Sequence, residues 1–218
     1  MTIIVAHSNG DLTIEIIEYD EDIESADGER TILKKADFLV SREVLVKSSQ
    51  YFTVLLSSTK YGEAKKDFIT LRDNRVASMA IWFCILHGVE PDYDVDLDEM
   101  WHLAAAGDKY QFQITRLRAW FANWYLKQPI ERWLKPPKSK GRLEQDPDPR
   151  SLLYPCWMFD HPKGFLHVTK FLAYHLTGHI TEHNPTEFRT LHLPPRVIRK
   201  LPKASISFLI LMHTVQSN

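Results

Sequence analysis

From Val76 to Leu86 the chain reads Val-Ala-Ser-Met-Ala-Ile-Trp-Phe-Cys-Ile-Leu, eleven residues without a charge. A helix this apolar around its whole circumference has no polar face to turn toward water, so it belongs at the centre of a domain. Gly88 follows closely, where a residue tolerant of left-handed backbone ends a helix. Any fold for this chain must therefore close other elements around residues 75–87.

The flanking sequence offers those elements. Leu12, Ile14 and Ile16 alternate with Thr13, Glu15 and Ile17, which predicts a strand over 11–18. The acidic run 19–28 carries too much like charge to pack and is expected to be a loop. Short strands are expected at 38–40 and 67–71. Ser41 can cap a helix over 42–57, in which Val44, Leu45, Ser48, Phe52, Leu55 and Leu56 make one apolar face. Asp96, with Glu99 three residues on, resembles a capping box for the next helix, and a further helix is predicted over 114–127. Trp82, Phe83, Leu86, Leu103 and Phe121 are expected in one core.

Charge divides the chain. Residues 1–134 hold 15 Lys/Arg against 22 Asp/Glu, whereas 135–218 hold 12 against 6 and seven of the ten histidines. The total of 27 against 28 gives no global attraction to nucleic acid or acidic membranes. The basic clusters Lys135, Lys138, Lys140, Arg142 and Arg196, Arg199, Lys200, Lys203 lack interleaved aromatics, so no specific nucleic-acid surface is expected. No run reaches the ~18 apolar residues of a membrane span, and Met1–His7 has no signal-peptide pattern. Cys84 and Cys156 cannot build a disulfide framework, which points to a reducing compartment, cytoplasmic or nuclear.

The pieces Gly10-Asp11-Leu12-Thr13-Ile14, Phe38-Leu39-Val40-Ser41-Arg42-Glu43-Val44-Leu45, Ser48-Ser49-Gln50-Tyr51-Phe52, Tyr61-Gly62-Glu63, Ile69-Thr70-Leu71-Arg72-Asp73 and Asp108-Lys109-Tyr110 stand in this order. Together they resemble a BTB/POZ domain, of the kind carried by the diverse BTB-containing proteins of fungi, over residues 10–127. The resemblance implies an α+β fold, a helical cluster flanked by a small sheet. It also implies a non-enzymatic protein–protein interaction module with no catalytic residues and no cofactor. Some family members bind a cullin of ubiquitin ligases through a hydrophobic-x-Glu motif after the first long helix. Carried over, Tyr61 would enter a partner pocket and Glu63 would fix register. Read without the family, Tyr61-Gly62-Glu63 is a surface turn with Gly62 chosen for backbone freedom. Ser48 and Ser49 are small residues for close packing, and Tyr110 is a core anchor. The partner's identity and the oligomeric state are left open.

Beyond 127 a linker is expected over 128–150, where Lys135-Pro136-Pro137-Lys138 and Asp146-Pro147-Asp148-Pro149 oppose both helix and central strand. A mainly helical extension is expected over 151–203, with Phe165, Val168, Leu172, Leu176 and Ile180 as its stripe. Residues 204–218 form an apolar tail with no assigned role. His175, His179 and His183 stand four apart, so a helix would stack them, and Cys156 or His161 could complete a four-ligand zinc site, the basis of an alternative reading as a zinc-binding domain or zinc-dependent enzyme. Against zinc, the paired cysteines of structural sites are missing and Asn184-Pro185 breaks a helix. Enzyme signatures are absent: no two glycines stand two apart, and there is no phosphate-binding loop, Gly-x-Ser-x-Gly or His-Glu-x-x-His.

Overall fold

Val76–Leu86 is a helix, and nine of its eleven residues are buried. The computed structural model describes residues 2–6, 8–24, 30–57, 62–136, 139–175, 178–200 and 203–204. The architecture is α+β, and the chain divides into two units, Met1–Leu117 and Arg118–Asn218. No described helix is long and apolar enough to cross a membrane.

In the first unit, β1 (Thr2–Val5), β2 (Leu12–Glu24), β3 (Arg30–Val40) and β4 (Phe68–Arg72) form a sheet in the order β1-β3-β2-β4. β2 and β3 are antiparallel, while β1 runs parallel to β3 and β4 parallel to β2. Alternation gives the sheet one buried face of Leu12, Ile14, Ile16, Phe38, Val40, Ile69 and Leu71. The helices are α1 (Arg42–Ser48), α2 (Gln50–Ser57), α3 (Val76–Leu86) and α4 (Leu97–Lys109), with 3-10 turns at Gly62–Lys65 and Ile114–Leu117. Rings close around α3: Phe83 lies 5.3 Å from Phe38, and Trp82 stacks on Phe112 at 4.8 Å. The Trp82 indole N–H, buried with its ring, donates to the Leu103 carbonyl at 2.9 Å.

Two local expectations need correction. The acidic run after Tyr19 is not a loop throughout, because β2 continues to Glu24 and pairs with β3. β3 sets basic residues opposite this end of β2: Glu18 stands across from Lys34 and Glu24 across from Arg30, and the Arg30 guanidinium sits 4.6 Å from the Tyr19 ring centre. Nor is 42–57 one helix. Ser49 is extended, with φ −147° and ψ 127°, and separates α1 from α2. Its hydroxyl donates to the Tyr110 carbonyl at 2.6 Å and accepts the Phe52 N–H at 3.0 Å, so it begins α2 as a cap. A periodicity reading sees the apolar face carry on and misses the break.

The predicted caps form. Ser41 Oγ accepts from Val44 N–H at 3.5 Å, and Asp96 Oδ1 accepts from Glu99 N–H at 2.7 Å. The reciprocal half of the capping box does not close, since the Glu99 carboxylate takes the Ser78 hydroxyl at 2.5 Å and Arg75 at 3.4 Å. Gly88 has φ +74°, as an α3 stop requires. The start of α3 has no cap of its own. Glu18 of β2 supplies one, accepting the Val76 N–H at 2.9 Å and placing a carboxylate at the positive end of the helix.

The second unit contains α5 (Arg118–Lys127), α6 (Ile130–Trp133), a 3-10 turn at Pro149–Leu152, α7 (Leu153–Met158), α8 (Pro162–His175), α9 (Pro195–Ile198) and a two-residue pair, β5 (Gly178–His179) with β6 (Lys203–Ala204). The predicted helix 114–127 begins as the 3-10 turn and becomes α-helical only at Arg118. The units meet between Leu117 and Arg118, earlier than the expected boundary at 127. Phe121 is buried and belongs to the second unit, where its ring lies 4.9 Å from Phe159.

The stretch expected as a linker, 128–150, has definite local structure. Ile130, Trp133 and Leu134 are buried. The Arg142 guanidinium donates to the carbonyls of Trp133, Lys135 (2.9 Å) and Pro147 (3.0 Å), and Asp146 pairs with Arg132 at 2.9 Å. Prolines forbid a ladder here, but side chains satisfy the backbone in its place.

Candidate interaction site

The motif Tyr61-Gly62-Glu63 falls between α2 and β4. Tyr61 lies outside the described residues. Glu63 belongs to the 3-10 turn Gly62–Lys65, and only its backbone is described. Gly62 is not left-handed, and a Cβ there would meet open space, so backbone freedom is not the reason for this glycine.

Directly after the turn the chain enters a groove of about 460 Å³, lined by Tyr51 and Leu55 of α2, Lys66, and residues 68–71 of β4. Each wall follows from its own periodicity. On α2, Phe52 and Leu56 point inward, which leaves Tyr51 and Leu55, also four apart, to line the groove. On β4, Ile69 and Leu71 are buried while Phe68 is 46% exposed. The Tyr51 ring is braced by Tyr110 at 5.0 Å and Phe52 at 5.3 Å.

Both ends of β4 are fixed by side chains from elsewhere. At the entry, the Arg42 guanidinium donates to the Lys66 carbonyl at 2.6 Å and stands 3.8 Å from Asp67, and the Arg42 backbone N–H donates to Asp11 Oδ1 at 2.7 Å. At the exit, the Lys109 ammonium donates to the Asp73 carbonyl at 3.2 Å and to Asn74 Oδ1 at 3.1 Å, and burial lowers its pKa. Asn74 Oδ1 also accepts the Tyr110 hydroxyl at 2.9 Å. Tyr110 is thus the core anchor its position suggested, and burial pushes its phenol pKa up. Asp108-Lys109-Tyr110 braces a turn.

Several of these ties have no sequence signature. His87 receives the Ser41 N–H on Nε2 at 2.9 Å and donates from Nδ1 to the Phe83 carbonyl at 2.7 Å, joining the start of α1 to the end of α3. That pattern needs the neutral ring with its proton on Nδ1, because a carbonyl can only accept. Arg42, Glu18 and Asn74 were equally unmarked, their partners being remote in sequence.

The histidines of the second unit do not act together. α8 ends at His175; His179 is exposed on β5, and His183 lies beyond any helix, so the three do not stack along one side. Among the described residues no three His, Cys, Asp or Glu side chains are placed to hold a metal ion, and Cys156, His161, His175 and His179 do not assemble a ligand set. Cys156 and His161 do converge, for a structural reason. His161 Nδ1 accepts the Gly164 N–H at 3.1 Å and so begins α8. A Cβ on Gly164 would stand 2.3 Å from that nitrogen and 3.0 Å from Cys156 Sγ. Burial raises the Cys156 thiol pKa, which opposes the thiolate a zinc site needs. Burial, with Lys163 and Arg118 adding to it, lowers the pKa of His161 and favours the neutral ring that accepts this bond. Elsewhere in the unit, the Tyr125 hydroxyl lies 3.4 Å from His167 Nδ1, and His167 Nε2 lies 3.7 Å from Glu131.

A scan of the chain against protein-family models finds no match, and neither does a search of curated proteins.

Proposed function

We propose that this chain is a non-enzymatic protein–protein interaction module of the BTB/POZ type, acting in the cytoplasm or nucleus. The observation that carries the reading is the order of elements in the first unit. The antiparallel pair β2–β3 is followed by α1 and α2, then by β4 parallel to β2, and then by the buried α3 and the capped α4. This is the order in which the family-like pieces fall along the sequence. The polar residues within those pieces also serve the scaffold: Ser41, Ser49 and Asp11 cap or tether backbone, and Lys109 and Tyr110 brace a turn.

Affinity purification of the full chain, with identification of co-eluting proteins, tests the reading. A partner recovered in near-stoichiometric amount is expected, and recovery of none after cross-linking would sink it. The finer form is an adaptor that recruits a cullin-type ubiquitin ligase through Tyr61 and Glu63. It predicts that Tyr61→Ala with Glu63→Arg abolishes capture of the cognate cullin; capture unchanged by the pair removes that assignment.

A further inference from the structure

We propose that the groove between α2 and β4 takes an extended segment of a partner protein, which adds as a new strand along the outer edge of β4. The proposal rests on the reading that the chain works by binding protein, and adds the place and the conformation of what is bound.

The register of β4 determines where its backbone points. Thr13 faces Phe68 in a parallel pair, and the Thr13 N–H donates to the Asp67 carbonyl at 2.8 Å. In such a ladder alternate residues of one strand bond the neighbour. Asp67, Ile69 and Leu71 therefore serve β2, while Phe68 and Thr70 turn their N–H and C=O groups to the other side. No described strand lies there, since β4 ends the sheet order. Nor does any described group bond those backbone atoms. Proteins usually blunt such an edge with proline, a bulge, inward charge or a covering element. Within Phe68–Arg72 there is no proline and the register is unbroken.

The groove's chemistry selects the occupant. Main-chain donors and acceptors at strand spacing recognise an extended chain, as in β-augmentation, and pockets for alternate side chains add specificity. A helix would leave these groups unpaired by the ligand. The Tyr51 and Leu55 wall and the half-exposed Phe68 ring suit apolar side chains at every second position of the incoming strand. The fitting partner is therefore an extended segment with alternating apolar residues. Arg42 and Lys109 tie the carbonyls that flank β4, so the edge is presented with both ends already fixed.

The test pans a phage-displayed library of random decapeptides against the full chain and measures the enriched peptides by fluorescence anisotropy. Enrichment of alternating apolar sequences is expected. Backbone N-methylation on the bonding edge of the peptide should weaken binding about tenfold or more. Thr70→Pro should do the same, because it removes an outward N–H and leaves the β2 ladder intact. Thr70→Val, which also loses the hydroxyl that donates to Glu15 at 2.9 Å but keeps the N–H, should bind like the parent. If Thr70→Pro fails to fold, the N-methylated peptides on the unaltered protein decide. Helix-patterned peptides, binding indifferent to N-methylation, or no enrichment would each overturn the proposal. Affinity purification separates the two levels. A co-purifying partner that Thr70→Pro holds as well as the parent defeats the groove and leaves the interaction reading standing, whereas no partner and no enriched peptide defeats both.

Discussion

The two units hold their backbones in place by different means. In the first, the decisive side-chain ties bridge long separations: 46 residues from Ser41 to His87, 58 from Glu18 to Val76 and 61 from Ser49 to Tyr110. In the second, long ties such as Arg118 with Asp160 and Tyr125 and Glu131 with His167 stand beside many short ones. Asp148 reaches Arg150, His161 reaches Gly164, Arg142 reaches back nine residues, and Asn184 reaches seven residues to Leu191. Closing long loops costs chain entropy before the contacts are made, so the first unit depends on a dense core to bring its caps to their partners. The second can satisfy much of its backbone locally, which is how a proline-rich stretch acquires definite structure without a ladder.

Phe83→Ala puts the greatest strain on this distinction. The ring meets Phe38, Phe52 and Phe112, and its loss should cost about 3–5 kcal/mol. Amide exchange should show α1 to α4 losing protection while α7 and α8 keep theirs, and equal loss in both units would erase the contrast. Gly164→Ala is the local counterpart. The new methyl would displace the His161 ring from its cap, at a cost of about 1–3 kcal/mol in chemical denaturation. Adding His161→Ala should recover part of that loss, and failure to do so would place the clash elsewhere.

Ser49→Ala tests a long tie of intermediate strength. Losing the cap and leaving the Tyr110 carbonyl unpaired should lower stability by about 1–2 kcal/mol. An unmoved urea midpoint would mean that packing alone holds the break between α1 and α2.

Acid gives the smallest effect and separates the units by pH. The half-buried His161 titrates below its usual 6.5, so the unfolded chain takes up this proton first. Its contribution is full above pH 6.5 and is lost as pH falls through the lower folded-state value. Glu15 in the first unit differs. Burial acts to raise its pKa, but hydrogen bonds from Lys35 and Thr70, with the nearby charge of Lys35, outweigh it and hold the carboxyl below 4.5. Its contribution is present above pH 4.5 and is lost only below that. Exchange measured along a descending pH series should therefore loosen the start of α8 before the β2–β4 pairing; the reverse order would refute the assignment.

Much of the first unit was legible because its signals are local. The absence of charge from Val76 to Leu86, the Asp96 cap, Gly88 and the alternation over 68–71 each act within a few residues. The misreadings were also local in origin. The acidic run looked unable to pair because the strand it pairs with, which sets Arg30 opposite Glu24, is a separate segment, and the apolar face of 42–57 hid a serine whose partner is Tyr110. The histidine spacing suggested metal, but the helix stops at His175, and the His161 ring is engaged at the start of α8. Of the candidate site, the sequence pointed to the stretch around residues 61–63, while the groove beside it was not visible.

What the sequence determined by itself is where helices and strands form and which of their faces are apolar, since periodicity and capping are settled by neighbours a few residues apart. Only the tertiary structure decided that β4 would end the sheet with an outward edge facing α2, that Glu18 would cap α3, and that Phe121 would join the second unit. These outcomes depend on which segments, remote along the chain, meet as the core closes around α3, and no short window of residues encodes such a meeting.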